Sequence, residues 1–488
     1  MSIRRSLAWM MFSQGGYFVL QFVSSVIVAR LLTPYEVGVY TAGAAIVGFL
    51  SVLQAFGLTL LVVREPEIDR HLSAGIFTMN AVIAVILSLI IVALSAFGGA
   101  FLHEAGVQRV MMVLAVLPLI GILEFLPAAI LERNGEFRTI AVLNLLRAVA
   151  MTGTTVGLAF AGLSYMCYPF GMVAASVVGA AGTMVAGRRY VSFRIGLTAW
   201  RQVLRFGLEQ LSIQGVPTLS VRASEFLLGR FLGLSALGLY GRASNLHNMI
   251  WLNIHLVISR VLMVDLADKK RKAVEIREPY LHAIEMLTGL LWPCFTGLAV
   301  LAGPLIRTIY GQKWVAAAPP LAALSAAAIL YVGVSLTWEL FVLCNETGRQ
   351  ARYECIRSPV GLVFFLLGSL ISLTAAAIGR IGEGLFTIAL YRRHIQRMTS
   401  TTLADFIPIY RRSAILTAAA CAPALALMLI YDWSPGTPFP LVLLAVAGGI
   451  GAWLAAIRLT GHVLAGEVFG LLKRGRELVG VGANGWAG

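Results

Sequence analysis

The sequence predicts an all-α polytopic membrane protein, and three observations carry that prediction. Hydrophobic residues fill 59% of the 488 positions and charged residues only 12%, where a soluble domain runs about 45–50% apolar and about 25% charged. Mean hydropathy is accordingly high, at +0.84. Apolar stretches of the length needed to cross a bilayer, about 20 residues each, recur along the whole chain. The basic residues, 38 against 23 acidic ones, are distributed one-sidedly among the segments between those stretches. A soluble enzyme, a disulfide scaffold and a disordered chain are excluded on these grounds. The net charge of +15 reads as a topology signal and not as a nucleic-acid footprint.

Taken in order, the apolar runs occupy 7–29, 37–63, 76–100, 110–131, 140–162, 165–187, 206–229, 237–264, 283–306, 316–344, 359–376, 378–391, 413–431 and 438–460. The first follows Arg4 and Arg5. It is long, contains Gln14 and Gln21, and has no small-residue cleavage site after it, so it reads as an uncleaved span and not as a signal peptide. Leu32-Thr33-Pro34-Tyr35-Glu36-Val37 reads as a helix stop and restart. Thr33 suits the N-cap, Pro34 the first helical position, and Glu36 complements the N-terminal dipole. Arg30 and Glu36 thus belong to a tight interfacial turn, and Tyr40 and Tyr240 are expected as aromatic-belt anchors. The twelfth run is short and carries Glu383, which leaves a count of twelve to fourteen spans open. Cys167, Cys294, Cys344, Cys355 and Cys421 show neither CxxC nor metal spacing, so no disulfide and no metal is expected.

With the N-terminus placed in the cytoplasm, 28 basic residues fall on the cytoplasmic side and six on the other, Arg30, Arg109, Arg230, Arg307, Lys313 and Arg380. Arg147, Arg222, Arg242 and Arg260 lie within spans or at their ends. This asymmetry places both termini inside and favours an even number of spans.

The chain also resembles itself. Residues 14–40 and 214–240 align without a gap at an offset of 200, with Gln14/Gln214, Gly15/Gly215, Ser24/Ser224, Arg30/Arg230, Leu32/Leu232, Gly38/Gly238 and Tyr40/Tyr240 identical. The offset crosses six spans, an even number, so the copies point the same way and form a parallel repeat. The expected organisation is an N-lobe at 1–187, a cytoplasmic linker at 188–205 and a C-lobe at 206–391. A cytoplasmic loop at 392–412, two additional helices at 413–460 and a cytoplasmic tail at 461–488 follow. Two six-helix lobes around a central cavity are the architecture of an alternating-access transporter.

Ala29-Arg30-Leu31-Leu32-Thr33-Pro34-Tyr35-Glu36-Val37-Gly38-Val39-Tyr40, its echo Gly229-Arg230-Phe231-Leu232-Gly233 and Gly238-Leu239-Tyr240, and Tyr310-Gly311-Gln312-Lys313-Trp314 together resemble Wzx-type polysaccharide flippases. These form the polysaccharide-transport branch of the multidrug/oligosaccharidyl-lipid/polysaccharide exporter superfamily. The resemblance covers nearly the whole chain. It implies a MATE-like two-lobed helical fold in the bacterial inner membrane. It also implies export of undecaprenyl-diphosphate-linked oligosaccharide for surface polysaccharide, without cofactor, alongside membrane lipids and a polysaccharide polymerase or export machinery. It fixes no individual substrate contact.

Polar groups inside spans need a reason, because a central Arg or Asp costs about 2.5–3.5 kcal/mol on insertion scales. They cluster in the first, seventh and eighth spans. Arg222 and Glu225 are three apart and share a helix face, where they either neutralise each other or present Arg222 to substrate. Arg222 and Arg242 are candidates to grip a diphosphate, which a guanidinium suits geometrically. Gln14, Gln214, Glu225 and Asn248 complete the candidate substrate-binding set. His247 and His255 suit either satisfied polar packing or a proton relay. Glu124, Glu339 and Glu383 stand as lone intramembrane carboxylates and candidates for ion coupling. Arg147 reads as a snorkelling residue.

Water is expected to reach Ser24, Ser224 and Asn248. Lys269-Lys270-Arg271-Lys272 marks the cytoplasmic face, and 462–478 suits an amphipathic surface helix. No GxxxxGK[ST] and no Asp-x-Asp is present. Two other functions compete: a small-molecule or multidrug antiporter of the same fold, and an integral-membrane glycan polymerase or glycosyltransferase. The repeat argues against the enzyme, and the cationic spans argue against a cationic drug.

Overall fold

The structure is a computed structural model that describes residues 3–54, 62, 70–102, 104–188, 195–196, 200–272, 275–466 and 470. Among these there are helices and turns and no strand. The chain divides into two compact units, Met1–Gly241 and Arg242–Gly488.

The first unit contains α1 (Ile3–Leu31), α2 (Pro34–Gln54), α3 (Arg70–Leu102), α4 (Ala105–Leu114), α5 (Val116–Arg133), α6 (Phe137–Phe160), α7 (Cys167–Gly187), α8 (Trp200–Leu232) and the start of α9 (Leu234–Arg271). Here α6 packs on α1 and α7, while α2 packs on α8 and α4. The second unit contains the rest of α9, then α10 (Arg277–Val300), α11 (Ala302–Tyr310), α12 (Ala318–Val332), α13 (Thr337–Leu343), α14 (Thr347–Ser369), α15 (Leu373–Thr399), α16 (Leu403–Ile430) and α17 (Phe439–Thr460). In this unit α15 packs on α14 and α12, and α10 packs on α12 and α16. Among the described residues nine helical segments are long and apolar enough to cross a membrane.

The turn between α1 and α2 follows the chemistry of its residues. The Glu36 carboxylate accepts from the Thr33 backbone N–H at 2.7 Å and from its hydroxyl at 2.8 Å, and the Thr33 hydroxyl accepts from the Glu36 N–H at 3.3 Å. This reciprocal pair is a capping box. At the start of α2, a Cβ on Gly38 would lie 1.8 Å from the Leu234 carbonyl oxygen, and one on Gly238 would lie 1.9 Å from the Pro34 carbonyl oxygen. The N-terminal turns of α2 and α9 therefore touch backbone to backbone, which only glycine permits.

Three expectations are corrected. The eleventh apolar run does not extend to 376: α14 ends at Ser369, and Ser372 N-caps α15 by accepting from Ala375 N–H at 3.1 Å. Nor does that helix begin at 359. It begins at Thr347, and within it Glu354 pairs with Arg357. The twelfth run belongs to a 27-residue helix, not a marginal one. Tyr40 and Tyr240 are not belt anchors. Tyr40 stacks on Tyr168 at 4.5 Å, its hydroxyl reaches the Met172 sulfur at 3.1 Å, and Tyr240 is buried. All five cysteines are free. Most of the expected amphipathic tail lies outside the described residues.

Candidate functional site

In the first unit, Arg222 and Glu225 on α8 form the pair their spacing allows, with Arg222 Nη1 donating to Glu225 Oε2 at 2.9 Å. The Arg222 side chain nevertheless keeps 39% of its surface accessible. Gly48 of α2 makes room for it, since a Cβ there would meet Arg222 Nε at 2.8 Å. The stacked Tyr40–Tyr168 pair lies close enough to feel the charges of both Arg222 and Glu225. An accessible guanidinium beside phenol rings can bind an anionic oxygen and pack a sugar or lipid edge at once. Ser224 points elsewhere: it is buried, and its hydroxyl donates to the Ser220 carbonyl at 2.8 Å, against the expectation of water access. Ser24 of α1 is half-buried. The side chains of Gln14 and Gln214 lie outside the described residues.

Arg147 does not snorkel, and Glu124 is not alone. Arg147 Nη1 donates to Glu124 Oε1 between α6 and α5. Gly179 of α7 leaves space for the Arg147 side chain, since a Cβ there would lie 3.0 Å from its Cδ. A pair from two helices neutralises both charges at depth, which snorkelling one of them to the surface would not do.

In the second unit, Arg242 is only 4% exposed. Its guanidinium carbon lies 4.9 Å from the ring centroids of both Tyr310 and Trp314. The Tyr310–Trp314 motif thus forms an aromatic cage around an arginine from α9. In this conformation Arg242 is covered by protein. Asn248 is exposed on α9.

His247, Trp251, His255 and Ser259 recur every four residues and so share one face of α9. His247 packs on Phe295 at 5.0 Å, and Trp251 stacks on His255 at 5.1 Å while its edge meets Tyr331 at 6.4 Å. Ser259 is buried on the same face. The face thereby follows the break between α12 and α13. At that break the Gly333 N–H turns to Tyr331 O, and Ile329 O is taken up by Trp292 Nε1 at 2.9 Å.

The densest charge cluster is one the sequence reading dispersed. Arg357 on α14, taken there for a cytoplasmic loop residue, donates to Glu354 Oε2 at 2.7 Å, to Glu383 Oε1 on α15 at 2.7 Å, and to the Tyr331 hydroxyl. Arg380 donates to the other Glu383 oxygen at 2.7 Å, and the Tyr391 hydroxyl donates to Glu354 at 3.0 Å. Glu383 is therefore doubly paired and not a lone carboxylate. At about 1.5 Å per residue, Arg357 and Glu383 lie roughly 15–18 Å along their helices from the α14–α15 turn. The i,i+3 spacings Glu354/Arg357 and Arg380/Glu383 are the same signal that singled out Arg222/Glu225, and they were available in the sequence.

Among the described residues no group of three or more His, Cys, Asp or Glu side chains is placed to hold a metal.

These helices and their paired charges define a multi-pass membrane protein of transporter architecture. The chain belongs to the polysaccharide biosynthesis protein family, whose profile matches residues 27–319. That match upholds the resemblance drawn from the Arg30–Tyr40 segment. The teichuronic acid biosynthesis protein TuaB of Bacillus subtilis is 24% identical over 327 residues, 66% of this chain and 68% of that protein. The succinoglycan biosynthesis transport protein ExoT of Rhizobium meliloti is likewise 24% identical over 327 residues, 66% of each chain. Among solved structures, the lipid II flippase MurJ in an inward closed conformation superposes with a TM-score of 0.74 at 13% identity. It covers 92% of this chain and 98% of its own. That likeness is one of fold.

Proposed function

We propose that this protein translocates an undecaprenyl-diphosphate-linked oligosaccharide across the bacterial inner membrane by alternating access, in the synthesis of a surface polysaccharide. The reading is carried by the family match over 27–319 in a chain whose fold follows that of a lipid II flippase over 92% of its length. Fourteen crossings, both termini in the cytoplasm, and two six-helix lobes with two further helices belong to the same proposal. The reciprocal glycine contact supports the repeat: Gly38 meets Leu234 as Gly238 meets Pro34, and positions 38 and 238, like 34 and 234, are offset by 200. Arg222 is the first choice for the diphosphate contact, since its side chain is accessible where that of Arg242 is covered.

The test is complementation of a strain lacking the gene, scoring surface polysaccharide and membrane protein level together. The native chain should restore polysaccharide, Arg222→Ala should insert normally and fail, and Arg222→Lys should restore part, because an ammonium lacks the planar fork. If the deletion leaves surface polysaccharide unchanged, the proposed function is wrong. If Arg222→Ala exports at the native level, only the diphosphate contact falls.

A further inference from the structure

The hairpin of α14 and α15 carries more cations at one end than that end can pair. The two helices run antiparallel and in close contact. A Cβ on Gly368 would lie 2.3 Å from the Ala375 carbonyl oxygen, the Tyr391 hydroxyl donates to Glu354 at 3.0 Å, and Arg349 and Arg397 share Glu346. Thr347, which opens α14, and Thr399, which closes α15, therefore lie at the same end. Glu346, Glu354 and Glu383 are the carboxylates of this hairpin, and each is committed: Glu346 to Arg349 and Arg397, Glu354 to Arg357, and Glu383 to Arg357 and Arg380. On the nearby end of α9, Lys272 pairs with Asp268 at 2.6 Å, and Lys270 donates to the Leu343 carbonyl at the end of α13. Arg352, Arg392 and Arg393 are different. All three are exposed, and none makes an ion pair or a hydrogen bond among the described residues.

These arginines head apolar stripes that no other part of the protein covers. On α14, Arg352, Ile356, Val363 and Leu367 follow at intervals of four, seven and four, and on α15, Ile378, Leu385 and Arg392 follow at intervals of seven, so each set shares one helix face. The five apolar side chains are exposed. Arg352 lies five residues inside Thr347 and Arg393 six inside Thr399, about 8–9 Å along the helices. A long arginine side chain at that distance from a helix end reaches the headgroup layer while its stem stays on apolar surface. An exposed apolar stripe that ends in an unneutralised guanidinium matches a phospholipid taken lengthwise, acyl chain first and phosphate last. A zwitterionic headgroup brings its own ammonium, whereas an anionic one leaves its charge for the protein, so three uncompensated cations favour the anionic lipid. The surface is open and shallow, which suits a ligand present at bilayer concentration.

We propose that this end of the α14–α15 hairpin is a binding site for anionic phospholipid, with headgroups held by Arg352, Arg392 and Arg393 and acyl chains lying along the two stripes. Lipid binding rests on the membrane-spanning class of the chain alone; its assignment to the cytoplasmic leaflet rests on the proposed topology.

The test is native mass spectrometry of the full-length protein released from detergent micelles, titrated with phosphatidylglycerol or with phosphatidylethanolamine. The native chain should bind phosphatidylglycerol at least about tenfold more tightly, and Arg352→Gln/Arg392→Gln/Arg393→Gln should lose that preference. The matching triple lysine variant should keep most of it, because a point charge suffices for a headgroup that is not clamped in a cavity. Arg411→Gln, which removes an exposed arginine of α16 outside the hairpin, should leave it unchanged. Added salt should weaken phosphatidylglycerol binding in the native chain and have little effect on the triple glutamine variant. Equal binding of the two lipids by the native chain would overturn the proposal, as would a triple glutamine variant with the native preference. If that variant does not insert, the three single glutamine changes decide the matter: each should lose part of the preference, and native behaviour in all three would equally overturn the site.

Discussion

Replacing Gly38 or Gly238 by alanine tests the closest helix contact in the first unit. The added Cβ at Gly38 would sit 1.8 Å from the Leu234 carbonyl oxygen, and the one at Gly238 would sit 1.9 Å from the Pro34 carbonyl oxygen, where 3.0 Å is the practical floor. The two backbones must therefore part by at least about 1.2 Å, and no rotamer change can relieve the clash because both partners are main chain. Overpacking of this kind costs about 1–3 kcal/mol, and a backbone clash belongs at the upper end. Alanine also gains about 1 kcal/mol over glycine in helix propensity. The net cost of either substitution is then about 2 kcal/mol. In a cooperative unit of about 240 residues, at about 2–4 °C per kcal/mol, that lowers the melting temperature by roughly 4–8 °C.

Both substitutions part the same pair of backbones, so Gly38→Ala/Gly238→Ala should cost little more than the worse single change. The assay is thermal unfolding of the purified full-length protein in detergent, with surface polysaccharide in the deletion strain as the second readout. Single variants that melt like the native chain would refute the reasoning. So would a double variant whose loss equals the sum of the two singles, because independent sites add and a shared contact does not.

Two further expectations follow from the charge network and the C-terminal helices. Arg357→Ala takes the arginine from Glu354 and leaves Glu383 with Arg380 alone, and should destabilise the protein by about 3 kcal/mol, whereas Arg357→Met combined with Glu354→Gln and Glu383→Gln should recover most of that loss, measured as thermal stability in micelles. His462 follows α17, is fully buried, and lies 3.9 Å from Glu285, which also pairs with Arg412 at 3.2 Å. Burial holds the His462 imidazole below its ordinary range. The Arg412 and His282 charges also lower it, and only Glu285 opposes them. The unfolded chain therefore binds this proton more readily, so the stability that neutral His462 contributes is present above about pH 6.5 and is lost as pH falls below it. Melting temperature measured from about pH 7.5 down to about pH 5 should fall more steeply for the native protein than for His462→Asn. Parallel curves would show that His462 does not titrate with unfolding.

Much of this molecule is determined by composition and local chemistry alone. The apolar runs had to become helices, because a backbone in lipid must satisfy its own hydrogen bonds, and the described residues of these runs are mostly helical. The Thr33–Glu36 capping box and the Arg222–Glu225 pair are contacts within three residues, so spacing sufficed to see them. The identical residues at an offset of 200 were legible in the sequence, though not the fact that Gly38 and Gly238 meet. What remained hidden depends on which side chains distant segments bring together. Arg357 reads as a loop residue until α15 supplies Glu383, 26 positions away, to neutralise it. Nothing in the spacing shows that Tyr310 and Trp314, about 70 positions on, pack against Arg242. Glu124 and Glu339 look alike in sequence, and only packing gives the first an arginine. A charge at membrane depth takes its meaning from its partner, and for helices joined through turns that partner is chosen by tertiary packing and not by spacing along the chain.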